Sequence, residues 1–205
     1  MINGLEAGLY ALGIRASNKQ VELWRNHLEM IVRWNRVYNL TAIDAPEQML
    51  PIHLLDSLSI APYIQGNAIM DIGSGAGLPG IPLAVYEPEW RFTLLDASSK
   101  KIRFLRQVVI ELDLEHVKPV HERVEEYRSR ERFDTIICRA YASLETFIDD
   151  TARLLRPNGK WLAMKGRYPV QELAALKDQF TYTVIPLTVP GLNAERHLIT
   201  IKRNQ

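Results

Sequence analysis

The chain has 205 residues, of which 47% are apolar and 24% charged, with 25 basic against 24 acidic side chains. This length and composition predict one globular domain and exclude a disordered, collagen-like or coiled-coil chain. The single cysteine, Cys138, excludes an intrachain disulfide and a multi-cysteine metal cluster. No uncharged stretch reaches the length of a membrane span and no basic leader precedes the first apolar residues, so we expect a cytoplasmic protein with no membrane partner.

Residues 1–64 predict a helical extension. Ser17 and Gln20 fit a capping box at the start of a helix. Apolar residues follow at spacings of three and four: Val21, Trp24, Leu28, Ile31 and Trp34. Asp44 and Glu47 fit a second capping box, which predicts that another helix begins there.

From residue 68 onward, short strands alternate with helices. Strands are predicted at 68–72, 91–95, 117–120, 133–138, 160–164, 182–187 and 198–202. Helices are predicted near 80–87, 98–113, 143–155 and 169–178. This order predicts an α/β fold for residues 65–205, with a mostly parallel seven-stranded sheet, helices on both faces and an antiparallel strand pair at the end. A ligand is then expected at the carboxyl ends of the strands.

The sequence DIGSGAGLPG at 71–80 directly follows the first predicted strand. It contains both GxGxxG, a dinucleotide fingerprint, and DxGxGxG, the loop with which methyltransferases bind S-adenosylmethionine. Glycines permit positive φ and close approach of the backbone to a ligand. We therefore assign three of them to cofactor binding: Gly73, Gly75 and Gly77. Asp96, at the end of the second strand, is expected to face an open cleft and bind the ribose hydroxyls of either cofactor.

Three details favour the methyl donor over a nicotinamide dinucleotide. Asp71 stands where methyltransferases of this fold carry an acid near the methionine ammonium. Pro79 and Pro82 are awkward at the start of a helix that should direct its dipole at pyrophosphate. The closing antiparallel pair suits the Rossmann-like class I methyltransferase sheet better than a symmetric dinucleotide fold.

Several motifs of other methyl-transfer chemistries are absent. No [DN]PP[YF] sequence for exocyclic amines occurs, and Ile137 replaces the proline that precedes a catalytic cysteine in pyrimidine methylation. Cys138 is therefore expected to be a buried structural thiol. The five histidines, at 27, 53, 116, 121 and 197, lack metal-ligand spacing, so we predict no metal.

Basic residues collect where this topology places the carboxyl edge of the sheet. Arg139 follows the fourth strand, Lys165 follows the fifth and Arg196 precedes the last. The helix after the second strand begins with further cations: Lys100, Lys101 and Arg103. Such a cluster suits an anionic acceptor, and a nucleic-acid backbone is the anion that it favours. A solvated helix face is the alternative for the last three. We predict RNA binding by Lys100, Lys101, Arg103, Lys165 and Arg196.

Several segments of the sequence resemble those of a known family. The matching segments stand in order along the whole chain: Trp34-Asn35, Asn39-Leu40-Thr41, HLLDSL at 53–58, DIGSGAGLPGIPLA at 71–84, LLDASSKKIRFL at 94–105, CRAYASL at 138–144, Met164-Lys165-Gly166 and Glu195-Arg196-His197-Leu198. Together they resemble the ribosomal RNA small-subunit methyltransferase G family, also called glucose-inhibited division protein B. One departure is Cys138, where the family usually has serine.

The resemblance implies transfer of a methyl group to nitrogen-7 of a guanine in the 530 loop of 16S ribosomal RNA. It further implies that Gly73 and Leu78 touch the donor through backbone, that Val124 and Glu125 border its adenine, and that Arg139 lies beside it. Guanine nitrogen-7 carries a lone pair and no proton, so alignment suffices and no catalytic residue is assigned. The partner is 16S RNA or the small subunit, and we expect a monomer. The alternatives are an NAD-dependent oxidoreductase and a non-catalytic RNA-binding assembly factor.

Overall fold

The computed structural model describes residues 4–43, 45–176 and 178–204. Its helices are α1 Leu5–Ala11, α2 Asn18–Tyr38, α3 Pro46–Met49, a π-helical turn Leu50–Leu55, α4 Asp56–Leu58, a 3-10 turn Ala61–Tyr63, α5 Gly80–Tyr86, α6 Ser99–Glu111, α7 Leu144–Thr151 and α8 Val170–Ala174. Its strands are β1 Ala68–Ile72, β2 Arg91–Asp96, β3 Val117–His121, β4 Phe133–Arg139, β5 Leu155–Lys165, β6 Phe180–Pro186 and β7 His197–Arg203.

The strands form one seven-stranded sheet in the order β3-β2-β1-β4-β5-β7-β6. The pairs among β1 to β5 are parallel, and β7 is antiparallel to both β5 and β6. The predicted fold class is therefore confirmed. The chain proceeds outward from β1 to β3 and then returns to β4 beside β1, which creates a topological switch point. The carboxyl ends of β1 and β4 meet there, with Ile72 paired to Cys138.

The element boundaries differ most from their predictions between α7 and β5, and α8 also ends earlier than predicted, at Ala174. The helix expected over 143–155 ends at Thr151, and β5 begins at Leu155 instead of 160. The physical reason is a sheet contact at the start of β4, where Phe133 pairs with Leu155 and its N–H donates to the carbonyl of Leu154 at 2.8 Å. The last residues of the helical pattern are thus recruited into strand pairing.

Both faces of the sheet are buried at its central strands, whereas the edge strands β3 and β6 are partly exposed. Consecutive strand residues alternate between two apolar clusters: Ile69 and Ile137 face one side, whereas Met70 and Ile136 face the other. The first cluster also contains α5, α6 and the N-terminal helices, and the second contains α7 and α8. Burial on both faces explains why these strands are continuous apolar runs.

Helix α2 docks onto the sheet domain through polar contacts as well as apolar ones. The predicted capping box is present, since Gln20 N–H donates to Ser17 Oγ and Ser17 N–H donates back to Gln20 Oε1. The buried Trp24 Nε1–H donates to the carbonyl of Pro82 at 3.0 Å. The predicted extension thus shares one core with the sheet, while its boundary at residue 64 stays a prediction.

The second predicted capping box falls on Asp44, which lies outside the described residues, so it stays a prediction. Helix α3 begins at Pro46 and follows Ala45, whose side chain makes no capping hydrogen bond. Within the described ranges, none of the helices has the length and apolar character of a bilayer-crossing segment.

Candidate active site

The glycine loop after β1 is held by two carboxylates, one from each neighbouring strand. Asp71 Oδ2 accepts from the N–H of Gly80, and Asp96 Oδ2 accepts from the N–H of Gly75, both at 3.0 Å. The carbonyl of Leu95 accepts from Gly73 N–H at 2.8 Å. The loop is therefore ordered by side chains at the carboxyl ends of β1 and β2, before any ligand contributes.

The three loop glycines serve different purposes. All have positive φ, at 68° for Gly73, 57° for Gly75 and 79° for Gly77. A Cβ at Gly75 would make only an ordinary van der Waals contact, 3.8 Å from the carbonyl oxygen of Gly73, whereas a Cβ at Gly77 would lie 2.6 Å from Ile81 and 2.9 Å from Leu105. Gly77 thus permits α5 and α6 to pack closely, and Gly75 leaves the space above the loop clear.

A cavity of about 320 Å³ lies beside this loop at the carboxyl ends of β1, β2 and β4. We call it the glycine-loop cavity. Its lining includes Gly73, Asp96, Val124, Glu125, Ala140 and Tyr141. Four of the predicted cofactor residues therefore come together: Gly73, Asp96, Val124 and Glu125. Leu78 is only 3% exposed and packs in the core beneath the loop.

Asp96 does not face an open cleft, as the sequence analysis expected. It is 7% exposed, and its Oδ1 accepts from the N–H of Ser98 at 2.8 Å while its Oδ2 accepts from Gly75. Lys101 Nζ lies 3.6 Å from Oδ2. The difference arises because the loop folds back over the end of β2. Asp96 is consequently both a wall of the cavity and a support of the loop.

Asp71 lies under the loop and does not line the cavity. It is fully buried, and among the described residues its Oδ1 has no hydrogen-bond partner. Burial raises the pKa of Asp71 to about 7, although the hydrogen bond from Gly80 opposes that rise. The structure thus makes Asp71 a buried support of the loop, and its expected place near a ligand ammonium stays a prediction.

The far wall of the glycine-loop cavity is supported from outside. The Arg153 guanidinium donates to the carbonyls of Val124 and Tyr127. Tyr141 OH donates to Asp150 Oδ2 at 2.8 Å. These contacts tie the segment after β3 to Arg153, just after α7, and the segment after β4 to Asp150 in α7. Sequence patterns indicated neither Arg153 nor Tyr141 as a site residue.

A second cavity, of about 390 Å³, adjoins the first at Ala140. We call it the arginine cavity. Its cations are Arg139, Lys165 and Arg196, and its other walls include His53 and Asp56. Ala140 lines both cavities and has a positive φ of 56°, which is uncommon for a residue with a Cβ. Of these three consecutive residues, Arg139 lines the arginine cavity, Tyr141 lines the glycine-loop cavity and Ala140 lines both.

Every cation of the arginine cavity contacts a carboxylate. Arg196 Nε is 3.1 Å from Asp56 Oδ1, and Arg139 Nη1 is 3.5 Å from Asp56 Oδ2. Lys165 Nζ contacts Glu172 Oε2 at 2.8 Å. Burial lowers the pKa of Arg139, and Asp56 opposes this effect. Arg139 therefore belongs to the arginine cavity, and its predicted contact with the donor stays a prediction.

His53 is a neutral wall of the same cavity. Burial, followed by the charge of Arg139, lowers its pKa to about 4. Its Nε2 lies 3.2 Å from Thr41 Oγ1, an atom that accepts from Ile43 N–H. Thr41 can therefore donate to His53. Sequence patterns did not indicate His53 and Asp56 as site residues, although both stand in the HLLDSL segment at 53–58 that carries part of the family resemblance.

The predicted cations of α6 lie outside both cavities, apart from Lys101. Lys100 is exposed, and Arg103 lines a separate groove of about 290 Å³ along α6 with Arg106 and His121. The five predicted RNA-binding residues therefore form no single cluster: two line the arginine cavity and three lie on α6.

Cys138 is 3% exposed, and burial raises the pKa of its thiol, as befits a structural residue. Among the residues that the structure describes, no three His, Cys, Asp or Glu side chains group as metal ligands.

Comparison with known proteins identifies the family. The family model GidB, described as rRNA small subunit methyltransferase G, matches residues 20–199. Ribosomal RNA small subunit methyltransferase G of Methylococcus capsulatus is 50% identical over 198 residues, which cover 97% of each chain. The protein of that name from Escherichia fergusonii is 44% identical over 206 residues and covers 100% of each chain.

Solved structures agree on the fold. An S-adenosylmethionine-dependent methyltransferase from Thiobacillus denitrificans in complex with S-adenosyl-L-homocysteine aligns with a TM-score of 0.58 at 15% identity, covering 82% of this chain and 98% of that one. TrmN from Thermus thermophilus aligns with a TM-score of 0.58 at 16% identity, covering 83% of this chain and 53% of that one. These matches confirm the Rossmann-like class I methyltransferase fold. The chain belongs to the ribosomal RNA small subunit methyltransferase G family of S-adenosylmethionine-dependent enzymes.

Proposed function

We propose that this protein transfers a methyl group from S-adenosylmethionine to nitrogen-7 of a guanine in the 530 loop of 16S ribosomal RNA. The observation that carries the proposal is the junction of the two cavities at Ala140. One cavity is built from a glycine loop and acidic side chains, and the other contains three cations. A methyl donor and an anionic acceptor can therefore meet across a single residue.

The residues of the glycine-loop cavity fit the cofactor. A volume of about 320 Å³ lies within the usual range of ligand pockets. A carboxylate offers about four acceptor positions, and Asp96 uses two of them on Gly75 and Ser98. Two therefore remain for ribose hydroxyls. Val124 and Glu125 line the same cavity, and we assign them to the adenine ring. Gly73 also lines it and would contact the donor through its backbone.

The arginine cavity suits an acceptor that needs no proton removed. When bound, the cofactor supplies an electrophilic methyl on its sulfonium. Guanine nitrogen-7 offers a lone pair and carries no proton, so the chain's own contribution is to align the base and to exclude water. The cavity also contains two groups that can accept hydrogen bonds, His53 and Asp56. Because guanine nitrogen-7 has no proton to lose, we assign neither of them as a general base.

Phosphate contacts would come from both basic surfaces. Lys165 and Arg196 line the arginine cavity, and Lys100, Lys101 and Arg103 extend along α6. Phosphate contacts set the register of an RNA without reading its bases. The monomeric state and the cytoplasmic location expected from the sequence remain predictions that accompany this function.

The test is methyl transfer from labelled S-adenosylmethionine to three acceptors: naked 16S RNA, a precursor particle and the small subunit, each prepared without the nitrogen-7 methyl group. The modified position is mapped by chain cleavage at 7-methylguanine. We expect label at one guanine of the 530 loop with at least one acceptor. RNA binding without label transfer would favour an assembly factor, and tight NAD binding without S-adenosylmethionine binding would favour an oxidoreductase.

A further inference from the structure

Asp56 is a buried carboxylate that joins two arginines from distant parts of the chain. Its side chain is 4% exposed, whereas those of Arg139 and Arg196 are 23% and 22% exposed. The three residues come from α4, from the end of β4 and from the segment just before β7. One carboxylate therefore sets the separation of two cations that open onto the arginine cavity.

Both guanidinium groups keep unused donors. Arg139 Nη1 donates to the carbonyl of Ile52 at 3.0 Å as well as to Asp56, and Arg196 Nη1 donates to the carbonyl of Glu195 at 2.8 Å. Across residues 4–43, 45–176 and 178–204, no hydrogen bond uses Nη2 of either arginine. With one carboxylate between two guanidinium groups, this trio has a net positive charge and free N–H groups.

We propose that Asp56 is a positioning residue for methyl transfer. It holds Arg139 and Arg196 side by side so that their free N–H groups bind one backbone phosphate of the acceptor strand, next to the nucleotide that receives the methyl group. The proposal rests on the proposed function, which supplies the RNA. Guanidinium groups bind phosphate through paired hydrogen bonds, and such contacts require a fixed orientation.

The charge of Asp56 makes this role measurable. Without the carboxylate, the two arginines repel each other and are no longer held in a fixed relative position. The net positive charge that they present to RNA is nevertheless higher. Loss of a positioning residue should therefore lower the turnover of bound RNA without weakening the binding itself. Loss of a residue needed only for folding should weaken both.

The experiment compares Asp56→Asn with Asp56→Glu, which keeps the charge but lengthens the side chain by one methylene. Asp134→Asn is the matched control, because Asp134 also pairs with an arginine, Arg156, but stands at the amino end of β4. For each variant we measure kcat, the RNA Kd at several salt concentrations, the S-adenosylmethionine Kd by calorimetry and thermal unfolding.

For Asp56→Asn we expect kcat to fall tenfold or more, with an RNA Kd that is unchanged or lower and a log–log salt slope steeper by up to about 0.9. Asp56→Glu should also lose kcat, with the salt slope of the unaltered protein. In both variants the S-adenosylmethionine Kd should stay within twofold. Asp134→Asn should keep kcat.

Several outcomes overturn the proposal. These are an unchanged kcat in either Asp56 variant, a parallel loss of kcat and RNA affinity, and an equal kcat loss in Asp134→Asn. A kcat of the unaltered protein that rises with pH, together with loss of that rise in Asp56→Asn, would instead make Asp56 a general base. If Asp56→Asn does not fold, Asp56→Glu decides alone. Failure of the proposed function is separate, because the unaltered protein then labels no RNA.

Discussion

The two cavities are built in different ways although they share Ala140. The glycine-loop cavity is lined mainly by residues at the carboxyl ends of β1, β2, β3 and β4 or just after them. The arginine cavity depends on charged side chains from three distant segments, with Asp56 paired to Arg139 and Arg196, 83 and 140 positions away. A site made by strand ends is encoded locally, whereas a site made by ion pairs exists only after the N-terminal helices have docked.

The largest effect is expected at the glycine loop, where Gly75→Val should abolish S-adenosylmethionine binding. A valine there strains a backbone with φ of 57° and extends into the open space above the loop. Gly13→Val is the matched control, because Gly13 has φ of 71° and no heavy atom within 4 Å of its Cβ position. Calorimetry should show binding lost only in Gly75→Val. Equal affinities would mean that the ligand does not approach this loop.

Asp71, which supports the glycine loop, and His53, which lines the arginine cavity, should contribute to folding stability with opposite pH dependence. Asp71 has a pKa raised by burial to about 7, so the stability that it contributes is present below about pH 4 and is lost as the pH rises towards 7. His53 has a pKa lowered by burial to about 4, so its contribution is present above about pH 6.5 and is lost as the pH falls towards 4. At about 1.4 kcal/mol per pKa unit, the two effects reach about 4 and about 3 kcal/mol.

Urea unfolding between pH 4 and 8 measures both effects. Compared with the unaltered protein, Asp71→Asn should gain relative stability as the pH rises, and His53→Gln should gain it as the pH falls. Because the two contributions oppose each other between pH 4 and 6.5, only the variants separate them. Differences from the unaltered protein that do not change with pH would show that neither group titrates abnormally.

A smaller effect on S-adenosylmethionine binding is expected at Asp96, a single side chain in the wall of the glycine-loop cavity. Asp96→Ala should weaken S-adenosylmethionine binding by about tenfold or more, because a hydrogen bond to a charged group contributes about 1.5–3 kcal/mol. It should also destabilise the fold, since the N–H groups of Gly75 and Ser98 lose their acceptor. Asp96→Asn keeps one acceptor oxygen, which can serve only one of these two N–H groups, and should recover only part of the stability. An unchanged S-adenosylmethionine Kd in Asp96→Ala would show that Asp96 does not bind the ribose.

In the arginine cavity, Lys165→Ala should raise the RNA KM severalfold and leave the S-adenosylmethionine Kd unchanged. Its Nζ contacts Glu172, so part of its charge is already compensated. A true phosphate contact should lower the log–log salt slope by about 0.7–0.9. Lys160→Ala is the control, since Lys160 belongs to the same strand but stands away from its carboxyl end. If Lys160→Ala changes the RNA KM and the salt slope as much as Lys165→Ala does, the effect comes from net charge and not from a phosphate contact.

The smallest effect is expected on α6. Replacing Lys100 and Arg103 together by alanine should soften the salt dependence of RNA binding, with kcat unchanged, because neither residue lines a cavity at the sheet edge. Arg25→Ala, which removes a partly buried cation of α2 paired with Glu6, provides the comparison. An unchanged salt slope in the α6 variant would assign these cations to the solvated face of the helix.

The alternation of apolar runs with helical periods was sufficient to predict all seven strands and the parallel sheet. These patterns reflect local geometry and the burial of both sheet faces. The glycine loop and Asp96 were equally visible, because a loop that directly follows a strand and an acid at the end of the next strand must meet when the two strands pair. Sequence spacing thus determined most of the glycine-loop cavity.

Tertiary structure alone decided what those residues do. Nothing in the spacing indicates that Asp96 and Asp71 support the loop, that Gly77 serves packing, or that Asp56 joins two arginines. Each of these facts depends on which groups lose access to water when the chain closes, and hydrogen bonds, ion pairs and pKa values follow from that burial. The sequence therefore determined the order of the elements and the place of the site, whereas the division of roles within it arose from contacts between residues far apart in the chain.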